Sequence, residues 1–197
     1  GETITVDSIA SARASALGQR TEATATLTLS GAPTVVLNGN TITADDDGKA
    51  LATAINDANV GVTATASETV AAGASQTAAA LTGTITINGV TTAAITTAVG
   101  QEATGRADTV AAINAISAAT GVTATDTGAS ATGVTLTAAD GRNIDVTFTT
   151  QTSASTGVTA SATTRSTVDL VSNDTIEVGA TVTNVTGVTA STDVTAA

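Results

Sequence analysis

Histidine, cysteine, methionine, tryptophan and tyrosine are all missing from this 197-residue chain, and Phe148 is its only aromatic residue. Without His or Cys no Ser-His-Asp or Cys-His site can be assembled, because a nucleophile needs an activating base beside it. A Ser-Lys arrangement would have to use Lys49, the only lysine, which stands in the first turn of a predicted helix and reads as a solvated charge. An enzyme is therefore not expected, and no catalytic, cofactor-binding or metal-binding residue is assigned. The absence of cysteine also excludes a disulfide scaffold and a thiolate metal site.

Positive charge is scarce too. Six Lys and Arg stand against seventeen Asp and Glu, for a net charge of −11. The five arginines, Arg13, Arg20, Arg106, Arg142 and Arg165, are scattered, whereas nucleic-acid binding needs clustered cations to neutralise phosphates. Nucleic acid is not expected as a partner. No apolar run approaches the roughly 18 residues of a membrane-spanning helix, and the first residues lack the basic start and apolar stretch of a signal peptide. Neither a helical membrane span nor a leader is expected.

What the chain has is Thr, Ala, Val, Ile and Gly in regular alternation. Apolar and Thr-type residues alternate with period two, the pattern of half-buried strands. Strands are predicted at Thr3 to Val6, Thr24 to Leu29, Thr34 to Leu37, Thr84 to Ile87, Val134 to Thr137, Ile144 to Thr149, Val168 to Val171 and Thr175 to Val178. The segment NIDVTFTT places Ile144, Val146 and Phe148 on one face.

Two segments break that period. Leu51 and Ile55 in DDDGKALATAINDA, and Val110, Ile113 and Ile116 in RADTVAAINAISAAT, fit short amphipathic helices. Asp45 to Asp47 and Asp108 are expected at the helix starts, where capping and the helix dipole favour acids. A calcium site at Asp45 to Asp47 is the alternative, but no closing Glu stands where an EF-hand loop requires one. Asp46→Ala is accordingly expected to be nearly silent. Asp140-Gly141-Arg142-Asn143 reads as a hairpin turn, with ion binding as its alternative.

Aligned on Ile55-Asn56 and Ile113-Asn114, the helices share their surroundings. Each is preceded by an alternating strand ending in Asn-Gly, at Asn38-Gly39 and Asn88-Gly89, a strong hairpin signal. Each is followed by GVTAT, at Gly61 and Gly121, where glycine suits the left-handed residue that ends a helix. The unit is duplicated, and the second copy is longer around Gly100 to Arg106. A further hairpin, Val134 to Thr149, follows the second copy, while Glu68 to Ala80 reads as a loop. GVTA at Gly157 and Gly187 reads as turn plus strand with no preceding helix. The predicted class is α+β and β-rich: two small modules of antiparallel strands, each with one short helix, plus flanking strands.

The run from Ile85 to Val146 resembles the flagellin IN motif of the central region of bacterial flagellins and some hook-associated proteins. INGV (Ile87 to Val90), AAINAIS (Ala111 to Ser117), TGVTAT (Thr120 to Thr125) and LTAADGRNI (Leu136 to Ile144) carry the likeness. Residues 34 to 65 are a weaker copy. GETITVDSIASARASALG and TTRSTVDLVSNDTIEVG resemble the passages that leave and rejoin that family's helical region, whose long helical segments have no counterpart in these 197 residues.

The resemblance implies a leading segment (1–25) from the filament-core side, a first module (26–80), a second (81–150) and return strands (151–197). It implies a structural role in motility: the outer, surface-exposed domains of a secreted, extracellular flagellar filament subunit. Its partners would be other subunits of the filament, with self-association of outer domains and O-linked glycan on exposed Ser or Thr. An adhesin-like surface domain that binds a glycan or host is the alternative, weakened by the lack of Trp and Tyr for sugar stacking. No cofactor is expected.

Overall fold

A computed structural model describes residues 22–159 and 163–195. The predicted strand Thr3 to Val6 and nearly all of the leading segment lie outside the described residues. The architecture is β-rich α+β, and every paired strand is antiparallel.

Two bodies surround two separate apolar cores. The first begins with β1 (Ala23–Leu37), β2 (Asn40–Thr43), α1 (Gly48–Asp57) and β3 (Thr63–Ala66). The chain then builds the second from β4 (Thr69–Ala71), β5 (Leu81–Ile87), β6 (Val90–Thr91), β7 (Ile95–Thr97), α2 (Glu102–Asn114), α3 (Ser117–Thr120), β8 (Thr123–Asp126), β9 (Val134–Ala138), β10 (Ile144–Thr149), α4 (Ser153–Thr156) and β11 (Thr163–Thr164). It returns to the first body with β12 (Thr167–Ser172) and β13 (Val178–Thr186). In sheet order the first body reads β13-β1-β12-β3, with β2 also paired to β1.

Alternation decides which side of each strand is buried. Along β1, Ala23, Leu27, Leu29, Val35 and Leu37 face the core while Thr24, Thr26 and Thr28 face solvent. Pro33 has no N–H to give to a ladder, and it lies where the register with β13 slips between Leu29 and Thr34. In β10, Ile144 and Val146 are buried and Phe148 is half-buried, on the predicted face.

The duplication extends to individual hydrogen bonds. Asn38-Gly39 and Asn88-Gly89 both take positive φ at each residue, as a two-residue type I′ hairpin requires. Asn38 Nδ2 donates to the Val60 carbonyl (2.7 Å) and Asn88 Nδ2 to the Thr120 carbonyl (3.3 Å), tying each turn to its helix end. After each helical Ile, an Asn clamps the next strand. Asn56 Nδ2 donates to the Ala64 carbonyl and its Oδ1 accepts from the Ala64 N–H, both at 2.8 Å. Asn114 does the same to Ala124, at 3.0 and 2.8 Å.

The same correspondence shows where the first module's last hairpin went. Leu136 pairs with Ala124 and Val146 with Ile87, as Leu170 pairs with Ala64 and Val178 with Leu37. Strands β12 and β13 are thus to the first body what β9 and β10 are to the second. The second body is inserted between β3 and β12.

The sequence-based divisions regroup accordingly. The described residues of 151–197 fall in two groups, since α4 and β11 join the second body and β12 and β13 complete the first. Glu68 to Ala80 begins the second unit: it contains β4, which pairs with β9 through Thr69 and Ala71. Three residues were too few to signal a strand. Of the strand predicted at Thr175 to Val178 only Val178 belongs to β13, while Ile176 bridges to Val194. Asp108 lies inside α2, because the longer second copy extends that helix back to Glu102. Gly157 does follow a helix: it takes φ 76° as the left-handed cap of α4, whose single turn is too short to show periodicity.

Candidate functional site: the joint between the two bodies

The residues singled out at the first helix start and at the second hairpin turn come together where the bodies meet. Asp47, in extended conformation, caps α1: its Oδ1 accepts from the Ala50 N–H at 3.0 Å. Its second oxygen accepts from the Asn143 N–H at 2.8 Å. The Asn143 side-chain amide donates to the Asp46 carbonyl. One short loop of the first body therefore holds the turn between β9 and β10 by backbone and side chain together.

Gly141 supplies the reciprocal contact. Its carbonyl accepts from the Lys49 N–H (3.2 Å) and from Ser166 Oγ (2.7 Å), satisfying a helix N-terminal amide that has no partner within α1. Close approach is possible because residue 48 is glycine; a Cβ there would lie 2.0 Å from Ser166 Oγ.

Charge completes the joint. Asp46 grips Arg165 through Nε (2.7 Å) and Nη2. Lys49 Nζ reaches Asp140 at 2.6 Å, and Arg142 forks onto the same carboxylate from Nη2 (2.7 Å) and Nε (3.0 Å). Arg142 Nη1 also donates to the Thr120 carbonyl at 3.0 Å, bracing the turn against α3. Hydrogen bonds from Arg142, opposed by burial and reinforced by Lys49, hold the Asp140 carboxyl far below the usual range. Arg165 lowers Asp46 in the same way, against partial burial. Both arginines are correspondingly raised by their carboxylate partners.

Asp46→Ala should therefore not be silent. It removes both Arg165 contacts, and a loss of about 1 kcal/mol is expected at a partly exposed, doubly bonded pair, read as a lower urea midpoint. The pH dependence follows from the direction of the two shifts. Carboxyls depressed in the folded state stabilise fully above the ordinary value near about 4 and lose that contribution as pH falls through the folded values. The joint should be unchanged from neutrality to mild acid and weaken only below that range. Carboxyl NMR titration of Asp46 and Asp140 should give midpoints below that of a free Asp; midpoints at or above it would refute the account.

A second polar cluster lies inside the second body and was invisible in the sequence, where Arg106 was one of several scattered arginines. Its side chain is nearly enclosed and donates to Asp126 (2.7 Å), Gln76 Oε1 (2.9 Å) and Ser130 Oγ (3.1 Å). Gln76 Nε2 passes the connection to the Ser155 carbonyl at 3.0 Å. Burial opposes ionisation of Asp126, but the Gly128 N–H and Arg106 outweigh it, leaving the carboxyl below its ordinary value.

Chemically, these arrangements hold parts together. Lys49, Arg106, Arg142 and Arg165, the cations among the described residues, are each paired with an aspartate. Asp46 and Asp47 are engaged by Arg165, Ala50 and Asn143, and among the described residues no three carboxylates converge as a metal cage. Beside the joint an open groove of about 460 Å³ runs along α1, lined by Asp47, Lys49, Thr53, Asp57 and Arg142. Compared with models of known protein families the chain matches none, and no curated protein matches it.

Proposed function

We propose that the chain supplies the outer, surface-exposed domains of a bacterial flagellar filament subunit, secreted and assembled with copies of itself. The observation that carries this reading is the nesting. The chain passes outward through β3, builds the second body, and returns through the neighbouring β12, so the first body holds both connections of the second. That out-and-back path suits a domain displayed on a polymer.

The flagellin-like segments support the reading because each falls on a structural part. INGV forms the turn between β5 and β6, AAINAIS carries the Asn114 clamp, and LTAADGRNI is the hairpin that docks on the first body. Each described cation is already paired with an aspartate, which supports a reading without nucleic acid as a partner.

Immunogold microscopy with antibodies raised against residues 69–164 is the test. Gold along flagellar filaments of cells producing the parent protein is expected. Label confined to the cell body would overturn the proposal and favour the adhesin-like alternative.

A further inference from the structure

Among the described residues the two apolar cores share no residue, and no helix or strand of one body packs along an element of the other. Covalently the bodies are joined by two crossings, Ser67-Glu68 going out and Arg165-Ser166 coming back. These lie side by side: Ala66 pairs with Val168, and the Ser67 N–H donates to the Thr167 carbonyl at 2.9 Å. A pair of adjacent strands with no shared core is a hinge, and bodies joined in that way move relative to one another unless something holds them.

We infer that the loop before α1 and the turn between β9 and β10 form a polar latch that fixes the angle between the bodies across this two-strand hinge. The latch has three side-chain fastenings. Asp46 clamps Arg165 on the returning crossing, Asp47 and the Asp46 carbonyl hold Asn143, and Lys49 reaches Asp140. The Gly141 carbonyl adds two more, from the Lys49 N–H and from Ser166 Oγ.

None of these groups belongs to either apolar core, so the latch can be opened without dismantling the bodies. Its attraction is local: Asp46, Asp47 and Asp140 face Lys49, Arg142 and Arg165, and Asp145 on β10 adds to the field at Arg165. The inference concerns the isolated chain and stands whether or not the chain belongs to a filament.

The chain has no cysteine, so two introduced thiols are unique labelling sites. Exposed Thr28 on β1 and Thr147 on β10 would be replaced by Cys in the full chain and spin-labelled, and the inter-label distance distribution measured by pulsed EPR. A narrow distribution is expected for the parent. Asp46→Ala/Asp47→Ser/Asp140→Ala/Asn143→Ala removes all three of those side-chain fastenings while serine keeps the α1 cap, and should broaden it by roughly twofold, since domains without a large apolar interface move relative to one another by default, with slow hydrogen exchange kept at the Ala64 and Ala124 amides that report the two bodies. An unchanged width in this variant overturns the latch. Should either amide lose protection, the milder Asp46→Asn/Asp47→Ser/Asp140→Asn/Asn143→Ser variant, which keeps polar side chains at all four positions, decides: broadening with both amides protected upholds the latch, and an unchanged width or lost protection overturns it.

Discussion

Leu170→Ala should destabilise the first body by about 3 kcal/mol while leaving the second intact, although more than half of the described chain separates Leu170 from the opening residues of β1. Leu170 is fully buried, and truncating an enclosed leucine loses its transfer free energy and leaves a cavity. It pairs with Ala25 on one side and Ala64 on the other, and its core is that of Leu27, Leu51 and Ile55. Hydrogen exchange separates the outcomes. Protection should fall at the Ala64 amide and persist at Ala124, and Leu136→Ala, the corresponding change in the second body, should do the reverse. Equal loss at both amides in both variants would show one cooperative unit and defeat the nested description.

Gly121→Val is expected to cost about 3 kcal/mol, and Gly61→Val only about half of that, even though both glycines open the same pentapeptide. Gly121 caps α3 as expected, whereas α1 ends earlier, at Ala58, with Asn59 as the positive-φ residue after it. Both have positive φ, 71° and 77°, so a β-branched residue is strained at either. Surroundings separate them. A Cβ at position 121 would lie 2.3 Å from the Arg142 Cζ, whereas at position 61 the nearest atom is Asn38 Nδ2 at 4.0 Å. The valine must therefore displace the guanidinium that braces the Asp140 turn and caps the Thr120 carbonyl. Removing the obstacle tests the cause: in an Arg142→Ala background, Gly121→Val should cost little more than Gly61→Val. Equal urea midpoints for the two single variants would remove the steric argument.

Much of each unit was legible because its signals are local. Asn38-Gly39 and Asn88-Gly89 announce their turns through conformations that few other residues adopt, and the Thr alternation in β1, β5 and β10 fixes which face is buried. Helix α1 declared itself through Leu51 and Ile55, and its acidic start through Asp47. Short elements escaped: β4 and α4 are held by pairing with β9 and by the Thr152 capping box, with too few residues to show a period. The joint escaped for another reason. Asp46 and Arg165, or Asp47 and Asn143, are distant in sequence, and each taken alone has a sufficient local explanation as a helix start, a turn or a lone cation. The missing hairpin of the first unit could have been found, since the Val, Leu, Ile and Val spacing of Val134, Leu136, Ile144 and Val146 returns in Val168, Leu170, Ile176 and Val178 with a shorter turn. It lies beyond the whole second unit, whereas the segment directly after the first GVTAT, Glu68 to Ala80, reads as a loop.

The nesting of one unit in the other also sets an order of folding. In the second body β8 meets β9 across a short loop, but β3 must wait for β12 until everything between them has been made. Closing an unstructured loop of that length rather than a hairpin-sized one costs about 2 kcal/mol more. Once the inserted body is folded its two ends stand side by side, since Ser67 and Thr167 are hydrogen-bonded neighbours, and most of that penalty disappears. The later-starting unit therefore folds first and acts as the turn of a hairpin for the earlier one, so a folding defect in the second body should delay the first even where their native stabilities are independent.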